Sequence, residues 1–223
     1  MREELTEIVC IIDRSGSMAK VRDEAISGFN SFLEDQAAVP VEAALTLVRF
    51  DTESEVMHNG TPIAQVPLLD ETSFVPRGMT ALYDAIGRTI DDVGGRLSKT
   101  PETERPAHVI VAILTDGHEN SSSDYTSERV RGLIEHQQAA YDWDFVYLGA
   151  NQNAFAESRK LGLAKESTRQ WDSTSEGTMY ALREMSTTVS AMRQPATPPD
   201  QPTRRRSSQR KSKTDSSQEA KSE

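Results

Sequence analysis

A doubly wound, three-layer α/β domain with a mostly parallel sheet and one antiparallel edge strand is the fold this sequence predicts. Two uninterrupted apolar runs rich in β-branched residues, Ile8-Val9-Cys10-Ile11-Ile12 and Val109-Ile110-Val111-Ala112-Ile113-Leu114, read as strands buried on both faces. Strand and helix patterns alternate over residues 1–193 in the order βαββαβαβαβα, the signature of a parallel sheet covered by helices. One connection, after the second strand, is too short for a helical crossover and implies a hairpin.

Each element has its own signal. After the first strand, Val21, Ala25, Phe29 and Phe32/Leu33 recur at helical spacing and predict a helix over 20–36. Residues 43–50 are dense in apolar and β-branched side chains and form the next strand. Asp51-Thr52-Glu53-Ser54 turns the chain into a short, polar strand over 55–58 that ends at Asn59-Gly60. An irregular stretch punctuated by Pro62, Pro67 and Pro76 leads to a helix marked by Leu82, Ala85/Ile86, Ile90, Val93 and Leu97. Beyond the second buried strand, Thr126 is placed to cap a helix carrying Val130, Leu133, Ile134 and Gln137. A strand over 145–148 ended by Gly149, a short helix over 154–161 and a last strand over 165–171 follow. Ser173-x-x-Glu176 has capping-box spacing, and behind it Met179, Leu182, Met185, Val189 and Met192 form the core-facing stripe of a final helix.

The chain has 223 residues and a net charge of −10, unevenly distributed. Residues 194–223 hold seven Lys/Arg and four acids, net +3, which leaves residues 1–193 at net −13. That C-terminal stretch contains four prolines and no large apolar side chain, so it cannot offset its ordering entropy and is expected to be a disordered tail. An acidic body repels phosphate backbones but attracts cations. Nucleic acid is left a weak hold at most, through Arg204-Arg205-Arg206, Arg210, Lys211 and Lys213. Cys10 is the only cysteine, so no internal disulfide forms, and its mid-strand place assigns it to the core. No apolar run approaches the roughly 20 residues of a membrane span. Residues 1–7 lack a leader's apolar stretch, so the expectation is a soluble, cytoplasmic monomer.

Asp13-Arg14-Ser15-Gly16-Ser17 sets one carboxylate and two hydroxyls at alternate positions directly after the first buried strand. Open α/β sheets build ligand sites there, beyond the carboxyl ends of their strands. Gly78-Met79-Thr80-Ala81-Leu82 and Leu114-Thr115-Asp116-Gly117 reach the same rim, and each brings a hard oxygen. Such donors suit Mg²⁺ or Mn²⁺ rather than zinc or copper. Singly the signals are weak, since Thr80 would serve equally as a helix cap. Together, each at a strand-to-helix junction, they nominate one metal site: Asp13, Ser15, Ser17, Thr80 and Asp116.

The pattern resembles the metal-ion-dependent adhesion site of von Willebrand factor A (vWA) domains, which uses Asp-x-Ser-x-Ser, a distant Thr and a distant Asp-Gly. The resemblance covers residues 5–193, and Asp13, Ser15, Ser17, Thr80 and Asp116 match it with no position substituted. It implies a Rossmann-like, vWA-like fold and a Mg²⁺ or Mn²⁺ ion touched directly by the Ser and Thr hydroxyls. The aspartates would contact the ion directly or through water, and a partner protein's Glu or Asp would complete the shell. It implies binding rather than catalysis. The chemistry suits that role: a hydroxyl-rich cage leaves much of the ion's charge uncompensated, so ion and partner carboxylate bind cooperatively.

Two other readings compete. A metal-dependent hydrolase or phosphatase in the same pocket is one, but a haloacid-dehalogenase-type pair needs a second acid where Ser15 stands. Neither a Gly-x-x-x-x-Gly-Lys nor a Gly-x-Gly-x-x-Gly loop follows a strand, and Ser15 or Ser17 as a nucleophile with His118 and Asp116 is disfavoured because the His118 spacing fits no strong pattern. The four histidines are scattered and there is no cysteine pair, against zinc. The other is an adaptor subunit of an AAA+ or chelatase-like assembly, with the motor on another chain. Glu119, Asn120, Met79 and Tyr83 are candidate rim contacts, whereas Leu82 belongs to the core.

Overall fold

In a computed structural model, residues 1–150 and 154–194 are described. The expected disordered tail therefore lies, from residue 195 on, outside the described residues. Strands β1 (Arg2–Asp13), β2 (Glu42–Phe50), β3 (Ser54–Pro62), β4 (Pro106–Thr115), β5 (Asp144–Ala150) and β6 (Thr168–Trp171) form one sheet. Its order is β3-β2-β1-β4-β5-β6. Only the β2–β3 pair is antiparallel, so the hairpin supplies the edge strand the sequence predicts.

The helices are α1 (Arg22–Ala38), α2 (Leu82–Lys99), α3 (Ser127–Tyr141), α4 (Ala154–Lys160) and α5 (Ser175–Met192). Because successive side chains of a strand point to opposite faces, each buried strand feeds two cores. Ile8, Cys10 and Ile12 of β1 join Ile110, Ala112 and Leu114 of β4 beneath Phe29, Phe32 and Leu33 of α1 and Leu182, Met185 and Val189 of α5. Val9, Ile11, Val111 and Ile113 face the other way, under Leu82, Ile86 and Ile90 of α2 and Val130 and Ile134 of α3. Each fully buried Val, Leu, Ile, Phe or Met among them contributes about 1.5–3 kcal/mol, which is why an unbroken apolar run marks these strands. Gly28 lets α1 and α5 approach: a Cβ there would sit 2.6 Å from Leu182 Cδ1.

The last strand is shorter than expected, Thr168–Trp171, because Lys165–Ser167 form a 3-10 turn, and three further differences from the sequence reading have a tertiary reason. β1 begins at Arg2 rather than at Ile8, because its polar half is paired as well. Glu7 in that half is buried, accepting from Thr46 Oγ1 at 2.7 Å and pairing with Arg96 of α2. β3 does not end at Asn59-Gly60 but runs through it, with irregular register opposite Leu45–Val48 and Gly60 at φ +66° absorbing the bend. A 3-10 turn, Gly16–Val21, precedes α1 and is anchored by the buried Met18.

At the base of the domain, the side chain of Arg193 is buried. Its guanidinium donates to the Gln36 carbonyl at 2.7 Å, to Gln36 Oε1 at 2.9 Å and to the Val41 carbonyl at 2.5 Å. The end of α5 is thus fastened to the end of α1.

Candidate metal centre

Parallel pairing of β1 with β4, in the register Ile12↔Leu114, brings Asp13 beside Thr115 at the carboxyl ends of the two central strands. Asp13 is fully buried. Its Oδ1 accepts from the Ser15 amide at 2.7 Å, which folds the loop back on itself, and its Oδ2 accepts from the Thr115 hydroxyl at 2.6 Å. Ser15 Oγ and Ser17 Oγ lie 3.0 Å apart, and Ser17 donates to Asp116 Oδ1 at 2.6 Å. Ser173, from the loop before α5, donates to Asp116 Oδ2 at 3.2 Å.

Thr80 arrives on a third segment. Its side chain is buried against the Asp116-Gly117 turn, where a Cβ on Gly117 would stand 2.7 Å from Thr80 Oγ1. Thr80 does not cap α2: the residue at that position is Ala81. The Thr80 segment is fixed against the first loop by the Gly16 amide donating to the Gly78 carbonyl at 3.2 Å and the Arg77 amide donating to the Arg14 carbonyl at 2.8 Å. Gly78 needs its glycine, being at φ +67° with Thr52 Oγ1 2.8 Å from where a Cβ would stand. Arg14, between the two named donors Asp13 and Ser15, points away and is buried against Asp51 at 3.0 Å and Glu55 at 3.1 Å. All five predicted donors therefore lie on adjoining loops at one rim. Asp13, Ser15, Ser17 and Asp116 belong to one contact chain, and Thr80 packs beside its Asp116 end.

Electrostatics at this rim suit a cation. Burial pushes the Asp13 carboxyl up to about 6, against the lowering effect of the Thr115 and Ser15 hydrogen bonds. Asp116 is raised too, chiefly by burial and despite the hydroxyls of Ser17 and Ser173. Two carboxyls held above their ordinary range, next to three hydroxyl oxygens with free lone pairs, fit a hard divalent ion. Among the described residues no three His, Cys, Asp or Glu side chains cluster as metal ligands; the candidate donors are three hydroxyls and two acids.

Several expected rim contacts serve the scaffold instead. Glu119 accepts from the amides of Tyr83, Ser121 and Ser122 at 2.9, 2.9 and 2.7 Å, tying the start of α2 to the loop after β4. Asn120 accepts from the Thr80 amide at 2.9 Å and returns its own amide to the Thr80 carbonyl at 3.0 Å. Asn120 holds Thr80 in place, and Glu119 holds the neighbouring Tyr83. The Tyr83 hydroxyl bonds Glu157. Met79 is the residue left for contact, 53% exposed next to Thr80. His118 is exposed, and among the described residues no hydrogen bond ties it to Ser15 or Ser17. Sequence reasoning missed Thr115 and Ser173. Thr115 is visible in the sequence as the residue before Asp116, whereas Ser173 has the spacing of a helix cap, a role that Thr174 fills.

Solved structures repeat this architecture. The vWF domain of the type V pili tip protein Mfa5 from Porphyromonas gingivalis matches with a TM-score of 0.56 at 12% identity, over 87% of this chain and 98% of that one. The fold is von Willebrand factor A-like. A mutant of the PilB minor pilin from Streptococcus sanguinis matches at TM-score 0.58 and 11% identity, over 83% of this chain and 61% of the pilin. Proximal thread matrix protein 1 from the mussel byssus, with a zinc-occupied MIDAS motif, matches at 0.54 and 15%, over 83% and 46%. This chain thus spans less than two thirds of the pilin and byssus chains. No family model and no curated protein sequence matches it. Among the described residues, no helix is long and apolar enough to cross a membrane.

Proposed function

We propose that this vWA-like domain is a protein-binding module that grips an acidic side chain of its partner through a divalent cation held by Asp13, Ser15, Ser17, Thr80 and Asp116. The observation that carries the proposal is the contact chain Asp13–Ser15–Ser17–Asp116, assembled at the carboxyl ends of β1 and β4 with Thr80 against it. A Mg²⁺ or Mn²⁺ ion there would be held by two carboxylates and three neutral hydroxyls, leaving a coordination position that a partner's Asp or Glu completes. The protein residues prepare the site for it. Thr115 and the Ser15 amide fix the rotamer of Asp13, Asn120 fixes the Thr80 backbone, and the exposed Met79 offers an apolar contact beside the opening.

No catalytic group is assigned. The partner is a protein rather than nucleic acid or a membrane, and the domain acts as a monomer in the cytoplasm, although the neighbours named above come from pili and a byssus. The zinc-occupied motif of the byssus protein makes Zn²⁺ a necessary third arm of any metal titration. Calorimetry with Mg²⁺, Mn²⁺ and Zn²⁺ on the native chain and on an Asp13→Ala, Ser15→Ala double variant tests the site. Native binding that the double variant loses is expected, with Mg²⁺ or Mn²⁺ supporting partner capture and EDTA abolishing it. Equal metal binding by both proteins refutes the proposal.

A further inference from the structure

Ser173 occupies a place that none of the five predicted donors accounts for. It is half-buried between β6 and α5, 57 residues from Asp116 in sequence, yet its hydroxyl meets Asp116 Oδ2. The other carboxylate oxygen receives Ser17. Hydroxyls from two separate loops therefore hold the two oxygens of one carboxylate.

The loop that carries Ser173 is closely fixed. Thr174, not Ser173, caps α5, its side chain accepting from the Gly177 amide at 3.1 Å. The Thr174 amide donates to the Asp172 carbonyl at 2.7 Å, closing a tight turn around Ser173. Gly177 allows that turn to lie on the first turn of the helix, since a Cβ there would stand 2.0 Å from the Asp172 carbonyl oxygen. The Ser173 hydroxyl is left for the carboxylate.

We infer that Ser173 is a positioning residue of the metal centre, orienting Asp116 for the ion; this rests on the reading that the site holds a divalent cation. The terminal torsion of an aspartate is broad and roughly two-fold, so an unrestrained Asp116 presents its oxygens in many orientations. A hydroxyl on each oxygen selects one orientation before any ion arrives. With a cation drawing on the Ser17 hydroxyl, the Ser173 bond would still hold Oδ2 and so restrain the carboxylate. Hydroxyl and carbonyl groups that orient ligating side chains in this way change metal affinity by about 10–100-fold when removed.

The test is Mn²⁺ titration of the full chain by calorimetry, with the electron paramagnetic resonance line shape of the bound ion as a second readout, on native, Ser173→Ala, Ser173→Thr and Thr174→Ala proteins. Ser173→Ala is expected to bind Mn²⁺ about tenfold more weakly, with an altered line shape and an unchanged melting temperature without metal. Ser173→Thr, which restores the hydroxyl, is expected to recover most of that affinity. Thr174→Ala is expected to lower the melting temperature and leave Mn²⁺ affinity as it was. Native-like affinity and line shape in Ser173→Ala overturn the inference while the metal reading stands. So does a loss shared by Ser173→Ala and Thr174→Ala in proportion to lost stability. No Mn²⁺ binding by the native chain removes the metal reading itself.

Discussion

Replacing Gly117 by alanine adds one methyl group at the most crowded point of the candidate centre. The new Cβ would stand 2.7 Å from Thr80 Oγ1, 3.3 Å from its Cγ2 and 3.4 Å from its Cβ. Relief to ordinary contact needs a movement of about 0.7 Å, more than the ~0.5 Å tolerance of a working site. Thr80 has little room to give way. It is buried, its χ1 is stiff, and two hydrogen bonds to Asn120 pin its backbone. The hydroxyl must therefore leave its place, and metal affinity is expected to fall at least about tenfold, or about 1.4 kcal/mol. Thermal unfolding reads this directly. Mn²⁺ at a hundred times the native dissociation constant stabilises the native chain by about 2.7 kcal/mol and a tenfold weaker variant by only about 1.4 kcal/mol. Gly132→Ala is the control, because it lies in α3 with nothing within 4 Å and gains up to about 1 kcal/mol from helix propensity. If Gly117→Ala keeps the native Mn²⁺ affinity, Thr80 is not a ligand and the geometry has been misread.

Metal affinity is expected to rise with pH through about 6, where Asp13 loses its proton, and calorimetry at pH 5 and 7 checks it. Without metal the sign reverses. The folded Asp13 carboxyl sits above its ordinary 3.8, so its contribution to stability is highest below 3.8 and declines as pH rises through about 6. Comparing melts of native and Asp13→Asn proteins in EDTA across that window isolates it; a native protein that gains stability relative to the variant contradicts the assignment. Thr115→Val removes a donor to that carboxylate, so the pH midpoint of Mn²⁺ binding is expected to move upward; an unmoved midpoint refutes the role of Thr115. Arg193→Met strands the carbonyls of Gln36 and Val41 and is expected to cost about 2–3 kcal/mol in denaturant unfolding, with no change in metal affinity.

The two central strands were legible because burial on both faces leaves no room for a polar residue, and Ile8–Ile12 and Val109–Leu114 contain none. The donors at Asp13 and Asp116 were legible because they follow those strands directly. The edges were harder to read. β3 is half-exposed, so Asn59-Gly60 resembles a turn although Thr61 and Pro62 beyond it are again paired with β2. The first half of β1 is polar and depends on Arg96, nearly ninety residues away, to bury Glu7. Ser173 is ambiguous in the sequence because Ser-x-x-Glu spacing is the same whether or not the serine is the cap; the contact with Asp116 separates the two. Glu119 and Asn120 read as candidate rim contacts because their partners, the amides of Tyr83 and Thr80, lie on another segment.

The Arg193 anchor settles how the domain can be tethered. α5 starts beside Asp116 and runs 18 residues, so its fastened end lies about 27 Å from the candidate centre. The Arg2 amide, bonded to the Arg105 carbonyl at 2.8 Å, marks the same pole at the start of β1. A bead, a fluorophore or a fused carrier attached next to either residue therefore holds the domain from beneath and leaves Met79 and its neighbours facing open solution.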